Sequence, residues 1–248
     1  MKKLDLMELT AACPGMVALA PSEHVSTKYR FVDSFRIFNW LYELGFYAFQ
    51  VQNTNVRKAE RRNVAKHAVF FTCDEWVGQD YSPCIIVVNA HDATSSVQFH
   101  VAVIVYACGN GLVAGTSLVE PIRIRHVGAC YDDVRRAMHT MGSKIPEIIA
   151  SIESMKSREL TDADAYNFAI KASRMRWPEK LPQKFSTSSL LRVRRYGDRG
   201  NSVWQIYNRV QENLVTGGRG FGYRRLTRID RSIGLNQKLW DEAMQLTA

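Results

Sequence analysis

The stretch HAVFFTCDEWVGQDYSPCIIVVNAHDATSSVQFHVAVIVY, residues 67–106, decides the fold. Two runs in it, HAVFFTC and CIIVVNA, are rich in aromatic and β-branched residues and are bounded by turn-forming residues, which is typical of strands. The run from Phe99 to Tyr106 is continuously apolar and has no period, so it fits a buried strand or a buried helix. Just upstream, FYAFQVQ at 46–52 predicts another strand. Together these segments favour one mainly antiparallel sheet.

Outward from this stretch, the pattern changes from strands to helices. Asn110-Gly111 signals a turn, and short strands are predicted at 112–114 and 122–125. Upstream, Asp33 and Ser34 can cap a helix that ends at Gly45. Apolar residues at helical spacing predict helices over 134–155 with a kink or break at Pro146, and then over 162–176, 203–216 and 233–246.

Strands first and helices afterwards indicate the α+β class. We predict a single α+β domain over 1–248, with a mainly antiparallel sheet from the N-terminal half covered by C-terminal helices. The sheet-rich part spans 26–128, and the helical part spans 129–248 with a basic glycine-rich loop at 217–228.

The chain of 248 residues has a net charge of +9, and this charge is unevenly distributed. Residues 1–56 balance to zero, and residues 57–67 carry five basic side chains and one acidic one. No Lys or Arg occurs from 67 to 122, whereas 186–248 holds eleven basic and five acidic residues. Basic segments beside an acidic middle suggest a surface directed at a polyanion.

Cysteine and histidine spacing argues against metal and disulfide chemistry. The five cysteines form no close pair, and no two histidines lie at i, i+4, so we predict no metal site and no cofactor. The N-terminal MKKLDLMELTAACPGMVALA imitates a signal peptide, but Asp5, Glu8 and Pro14 interrupt its apolar run. We therefore predict a cytoplasmic protein that does not engage a membrane.

Three basic features are candidates for binding nucleic acid. The first follows several side-chain amides and joins two predicted strands. The second surrounds a tyrosine, and the third, GGRGFGYRRLTR, adds aromatic rings to a glycine-rich loop. Arginine and lysine suit phosphates, and aromatic rings can stack on bases. The candidate residues are Arg57, Lys58, Arg61, Arg62 and Lys66; Arg192, Arg194, Arg195 and Tyr196; and Arg219, Phe221, Tyr223, Arg224, Arg225 and Arg228. The first feature also fits a solvated, flexible surface loop, and the second fits a charged helix end. The third fits a mobile turn between two helices whose aromatic residues pack on the core.

The sequence VNAHDATSS is the best candidate for catalysis, because Asn89, His91, Asp92 and Ser95 crowd the end of a predicted strand. It would suit a metal-dependent nuclease or another hydrolase centred on His91 and Asp92. Asx and Ser/Thr turns that satisfy local backbone groups explain the same residues, and no G-x-S-x-G elbow accompanies them. We predict no catalytic residues and no enzyme activity.

The order of several motifs resembles an uncharacterised phage/plasmid-like domain family of mobile elements. The motifs are KYRFV, VNAHDATSSVQF, CGNGLVAG, IRIRHVG, WQIYNRVQENLVTGG and LNQKLW, collinear over roughly 26–243. Ala93 departs from the family's pattern, where glycine is expected in the turn. The resemblance implies a phage or plasmid setting, without an activity.

In character the chain is similar to phage single-stranded-DNA-binding cofactors that recruit an RNA polymerase, and to recombination proteins that coat or anneal single strands. From this we predict a sequence-tolerant single-stranded DNA-binding protein acting in phage transcription, replication or recombination. Its partners would be single-stranded DNA and a phage RNA polymerase or recombination and replication proteins. A host-defence-blocking protein that uses the acidic middle as its contact surface is an alternative, and the oligomeric state is left open.

Overall fold

The computed structural model describes residues 2–106, 111–113, 115–116, 118–218 and 220–247. The chain separates into two compact units, which we describe one at a time. Unit 1 comprises Met1–Tyr106 and Glu120–Ile145, and unit 2 comprises Ala107–Val119 and Pro146–Ala248. The fold is α+β with a mainly antiparallel sheet from the N-terminal half, which confirms the predicted class. The predicted domain boundaries stay a prediction.

Unit 1 is built on an antiparallel sheet. Its strands are β1 (Tyr47–Asn53), β2 (His67–Thr72), β3 (Tyr81–Asn89), β4 (Val97–Val105) and β6 (Ile122–Ile124). The short strand β5 (Gly111–Val113) belongs to unit 2. Strands β1 to β4 pair in sequence order, and β6 pairs with β4. All six residues of β2 are buried, as are nearly all of β3 and β4. Burial on both faces explains why the segment after Phe99 shows no alternation.

Three helices complete unit 1: α1 (Leu6–Ala12), α2 (Ser34–Glu43) and α3 (Tyr131–Ser143). The Asp33 side chain caps α2 by accepting from the Phe35 backbone N–H at 2.9 Å, and Gly45 follows the helix with φ of +85°, as the sequence predicts. Helix α3 packs against β4 and β6. No prediction covers α1, although Asp5 and Glu8 form a capping box at its start.

The strand register places three connections at one end of this sheet. His67, the first residue of β2, pairs with Asn89, the last of β3, and Val97, the first of β4, pairs with Ile124, the last of β6. The β1–β2 connection, the turn over 90–96 and the segment that leaves β6 therefore share that end. The first of these connections contains the basic residues from Arg57 to Lys66.

Unit 2 consists mainly of helices: α4 (Ile145–Ser157), α5 (Asp162–Arg176), α6 (Val203–Thr216) and α7 (Ile229–Gln245). Helix α4 begins beside Pro146, which confirms the predicted break. Helix α6 is buried along most of its length and packs against α5 and α7. The short strand β5 (Gly111–Val113) lies against α7, which begins about one turn earlier than predicted.

Candidate nucleic-acid interface

The basic arm, residues 54–66, joins β1 to β2 and projects basic side chains from unit 1. Its base closes where the Thr54 backbone N–H donates to the Lys66 carbonyl at 2.9 Å. The His91 backbone N–H donates to the Val64 carbonyl at 2.8 Å, which attaches the arm to the neighbouring turn. Four of its basic side chains are exposed, namely Arg57, Lys58, Arg61 and Arg62. The arm is thus fixed at its base and charged on its outside.

A cleft of about 400 Å³ opens beside the basic arm. Asn53, Asn55, Arg62 and Lys66 line it together with small apolar groups from the arm and from the end of α1. Amides supply donors and acceptors, and the two cations supply charge, which is the combination expected for phosphates and base edges. Asn53 at the end of β1 and Asn55 in the arm thus meet the cations of the arm in this cleft. The Asn53 side chain also donates to the Ala12 carbonyl at 2.6 Å.

The charge of the arm is only partly neutralised within the protein. Arg61 lies 3.8 Å from the Asp92 carboxylate, in a pair whose arginine side chain is 59% exposed. The Asp92 side chain is 11% exposed, so the pair is open to solvent mainly on the arginine side. For Arg57, Lys58 and Arg62, the described part of the chain offers no ion pair. These three cations face solvent.

The second basic feature is largely engaged by α6. Arg195 binds the buried Glu212 carboxylate through two hydrogen bonds and lies 3.7 Å from Asp198. Arg194 donates to the Asn213 side chain and to the Gly217 carbonyl. Tyr196 is 82% exposed, and Arg192 and Arg194 are exposed as well. Arg194 and Arg195 therefore hold unit 2 together in this conformation, which their predicted phosphate role does not anticipate.

The glycine-rich loop folds its aromatic rings inward. Phe221 is 5% exposed, and the guanidinium carbons of Arg192 and Arg194 lie 5.3 and 4.8 Å from its ring centroid. The Tyr223 hydroxyl donates to the Asn213 carbonyl at 2.8 Å, and burial raises its pKa to about 12. The Phe221 ring and the Tyr223 hydroxyl thus already make contacts within the protein, as in the alternative of aromatic residues that pack on the core, and their stacking role stays a prediction.

The remaining loop residues differ from these rings. Arg224, Arg225 and Arg228 are exposed, whereas Arg219 lies outside the described residues. Gly217 has φ of +57°, and a Cβ there would lie 2.7 Å from the Tyr223 carbonyl. The glycine therefore permits a tight turn and close packing, whereas the sequence suggests a mobile backbone.

His91 lies in a buried polar cluster of unit 1 and does not face a cleft. It is 0% exposed, and its Nε2 lies 3.0 Å from the Gly15 carbonyl, so that nitrogen carries the proton. The Ser34 hydroxyl lies 2.9 Å from His67 Nε2 and accepts from the Asn89 side chain at 2.9 Å. Burial and, after it, the neighbouring His67 lower the pKa of His91 to about 4.

The arrangement of His91, Asp92 and Ser95 does not support the hydrolase hypothesis. Asp92 accepts from the Thr94 backbone N–H at 3.1 Å, which is the Asx turn considered from the sequence, whereas the Ser95 hydroxyl accepts from the Gln98 side chain at 3.0 Å. His91 and Asp92 thus serve different local networks. Within the described ranges, no three His, Cys, Asp or Glu side chains gather in a way that could hold a metal ion.

The family model for a domain of unknown function (DUF932) matches residues 21–240, most of the chain. The chain belongs to the DUF932 family. It is similar to two proteins of Escherichia coli strain K12, UPF0380 protein YfjQ and UPF0380 protein YafZ, each 30% identical over 96% of this chain and 90% of the relative. No solved structure matches this DUF932 chain. The predicted membership of an uncharacterised family is confirmed, and the phage or plasmid setting stays a prediction.

The turn at Ala93 is the place where the sequence of this DUF932 chain departs from the expected family pattern. Ala93 has φ of +62°, the one positive value for a residue other than glycine in the described part of the chain. Left-handed backbone favours glycine, which is the residue expected there from the family's pattern. Ala93 thus occupies a backbone conformation that suits the glycine of the pattern better than alanine.

Sequence reasoning missed two kinds of residue in this DUF932 chain. Ser34 and His67 complete the buried cluster, but only their distance in space links them to His91. Arg123 and Arg125 line a second cleft beside α3. Their alternation in IRIRH places both on one side of a strand, a signal that was available. No helix in the described residues has the length and apolar character needed to cross a membrane.

Proposed function

We propose that this protein binds single-stranded DNA without acting as an enzyme, and that the basic arm is its main contact surface. The observation that carries the proposal is the cleft beside the arm, where Asn53 and Asn55 meet Arg62 and Lys66. Arg57 and Lys58 extend the positive charge outside the cleft. Phosphates would bind the cations, and the amides would reach sugars or base edges.

The unpaired cations favour a polyanion over a single small anion. Arg57, Lys58 and Arg62 are exposed along one connection, so their charges can act on successive phosphates. A compact anion would need them to converge on one point. The aromatic rings of unit 2 contribute less, because Phe221 is buried and Tyr223 is hydrogen-bonded within the protein.

The cellular role follows from the resemblance to phage proteins. We place the protein in the bacterial cytoplasm, as a cofactor of a phage RNA polymerase or as a participant in replication or recombination. DNA bound through phosphates in a sequence-tolerant way suits each of these roles.

A salt titration tests the proposal. We expect the affinity for a labelled 20-nucleotide single strand to fall steeply as salt rises, because binding releases counterions. The double variant Arg57→Gln/Arg62→Gln should lower the affinity roughly tenfold and reduce the salt slope by about 1.4, since each phosphate contact on a single strand contributes about 0.7.

Arg158→Gln/Arg174→Gln is the matched control, because it removes the same charge from two exposed positions of unit 2. Its affinity should stay close to that of the unaltered protein. Binding that is independent of salt, or equal losses in both double variants, would contradict the arm as the contact surface. Turnover of DNA on addition of a divalent metal would instead favour the hydrolase alternative.

A further inference from the structure

Unit 1 carries a second basic cleft, formed by β6 and α3. It has a volume of about 520 Å³. Arg123 and Arg125 alternate with the buried Ile124 along the chain, so both are exposed on one side, and Arg136 enters from α3. The cleft thus brings together three guanidinium groups that lie up to 13 positions apart in the sequence.

The charge of this cleft is mostly uncompensated. Asp133 is the carboxylate among the lining residues, and it binds Arg136 and accepts from the Cys130 thiol. Within the described chain, Arg123 and Arg125 have no ion pair. Two cations therefore remain available to an anion, beside a third that is already neutralised.

The position of the cleft relates it to the basic arm. Both adjoin the same end of the sheet, because His67 pairs with Asn89 and Val97 pairs with Ile124. Three strand spacings separate β2 from β6, roughly 15 Å. The turn over 90–96 lies between them, and its Ala93 and Thr94 are exposed. At a stacked rise of about 3.4 Å, about four nucleotides would cover this gap alone, so a strand must be longer than four nucleotides to occupy both clefts.

We propose that the β6–α3 cleft is a second phosphate-binding site for the same single strand. The strand leaves the basic arm, crosses the turn over 90–96 and places its next phosphates against Arg123 and Arg125. This inference rests on the proposed function and adds to it the path of the bound strand and the strand length needed to occupy both sites. Short strands engage the arm alone, and longer strands engage both sites.

Oligonucleotide length tests this path. Labelled oligothymidines of 4 and 20 nucleotides are titrated against the unaltered protein, Arg123→Gln/Arg125→Gln, and the charge-matched Arg158→Gln/Arg174→Gln. We expect the first variant to lose roughly tenfold in affinity for the 20-mer, with a salt slope smaller by about 1.4, and to bind the 4-mer unchanged. The single variant Arg125→Gln should show about half the change in slope. Circular dichroism checks that each variant is folded.

Each alternative result has a separate meaning. If the unaltered protein shows salt-dependent binding and the β6 variant matches the control at both lengths, the second site is overturned and the proposed function stands. Equal losses for the 4-mer and the 20-mer also overturn the path, because they show one undivided site. If the unaltered protein binds neither length, the proposed function itself fails.

Discussion

The basic arm of unit 1 and the glycine-rich loop of unit 2 share arginine-rich composition but use it differently. In the arm, Arg57 and Arg62 point outward with no ion pair in the described chain. Beside the loop, Arg192 and Arg194 lie against the Phe221 ring, and Arg195 binds Glu212. Composition therefore identifies basic segments, whereas the availability of each charge depends on what packs beside it.

The largest expected effect concerns Phe221. We expect Phe221→Ala to lower the free energy of unfolding by about 3–5 kcal/mol, because it removes a buried ring from unit 2. Tyr196→Ala, at a side chain that is 82% exposed, should change it by less than about 0.5 kcal/mol. Urea denaturation measures both. A Phe221→Ala protein that is stable but no longer binds DNA would support a role for Phe221 in stacking on bases. It would also contradict the contrast between the glycine-rich loop and the basic arm.

The next effect is a pH dependence that distinguishes the units. Burial lowers the pKa of His91 to about 4, below its ordinary 6.5, so the unfolded chain binds more protons between these values. Stability should be fully present above pH 6.5 and should fall by on the order of 3 kcal/mol as the pH drops to 4. This loss of stability should affect unit 1 and loosen the basic arm, because the His91 backbone N–H donates to the Val64 carbonyl in the arm.

Denaturation at pH 7 and pH 5 measures this dependence, with hydrogen exchange to locate it. Replacing the exposed His139 by glutamine should leave the dependence intact, whereas His91→Gln should reduce it. An identical pH profile in His91→Gln would show that His91 has the same pKa in the folded and the unfolded protein.

A smaller effect compares the exposed arginines of the two regions directly. Arg224→Gln/Arg225→Gln in the loop should weaken DNA binding about two- to threefold, against roughly tenfold for the arm double variant. Both pairs are exposed, so stability should change little. Fluorescence anisotropy at low salt gives both affinities. A loop variant that loses more than the arm variant would reverse the comparison.

The smallest effect concerns Ala93, beside the arm. Ala93→Gly should raise the free energy of unfolding by about 0.5–1 kcal/mol. Glycine has no Cβ, so it adopts φ of +62° without the steric clash that alanine has there. A thermal melt detects a gain of this size. Ala93→Val, which adds a β-branch at a positive φ, should move the melting temperature in the opposite direction. No difference among the three would show that the turn relaxes freely.

Much of the fold follows from local patterns. The helix after Asp33, the break at Pro146 and the helix over 162–176 were predictable because caps and proline act within a few residues. The start of α7 was not, since Ile229 is buried by partners distant in sequence. The arm was recognisable as a basic connection, but its cleft depends on Asn53 meeting Lys66 across paired strands.

The inward rings of unit 2 show the limit of composition. The local sequence GGRGFGYRRLTR does not predict that the Tyr223 hydroxyl donates to the Asn213 carbonyl or that Phe221 packs against Arg194. Both contacts depend on α6, which the sequence predicts only as a helix. Availability of a side chain is therefore a tertiary property, and for Arg195 it is decided by one buried glutamate.

Strand β5 has a consequence for synthesis on the ribosome. It belongs to unit 2 and lies against α7, and the Thr116 hydroxyl donates to the Asp241 carboxylate at 3.2 Å. The ribosome completes Val113 well over a hundred residues before Gln245, which takes on the order of 6–25 s at 5–20 residues per second. During that interval β5 lacks its helix, so unit 2 can close only after translation is nearly finished. A nascent chain stalled before residue 229 should resist protease in unit 1 and be cleaved within the part of unit 2 over 146–228.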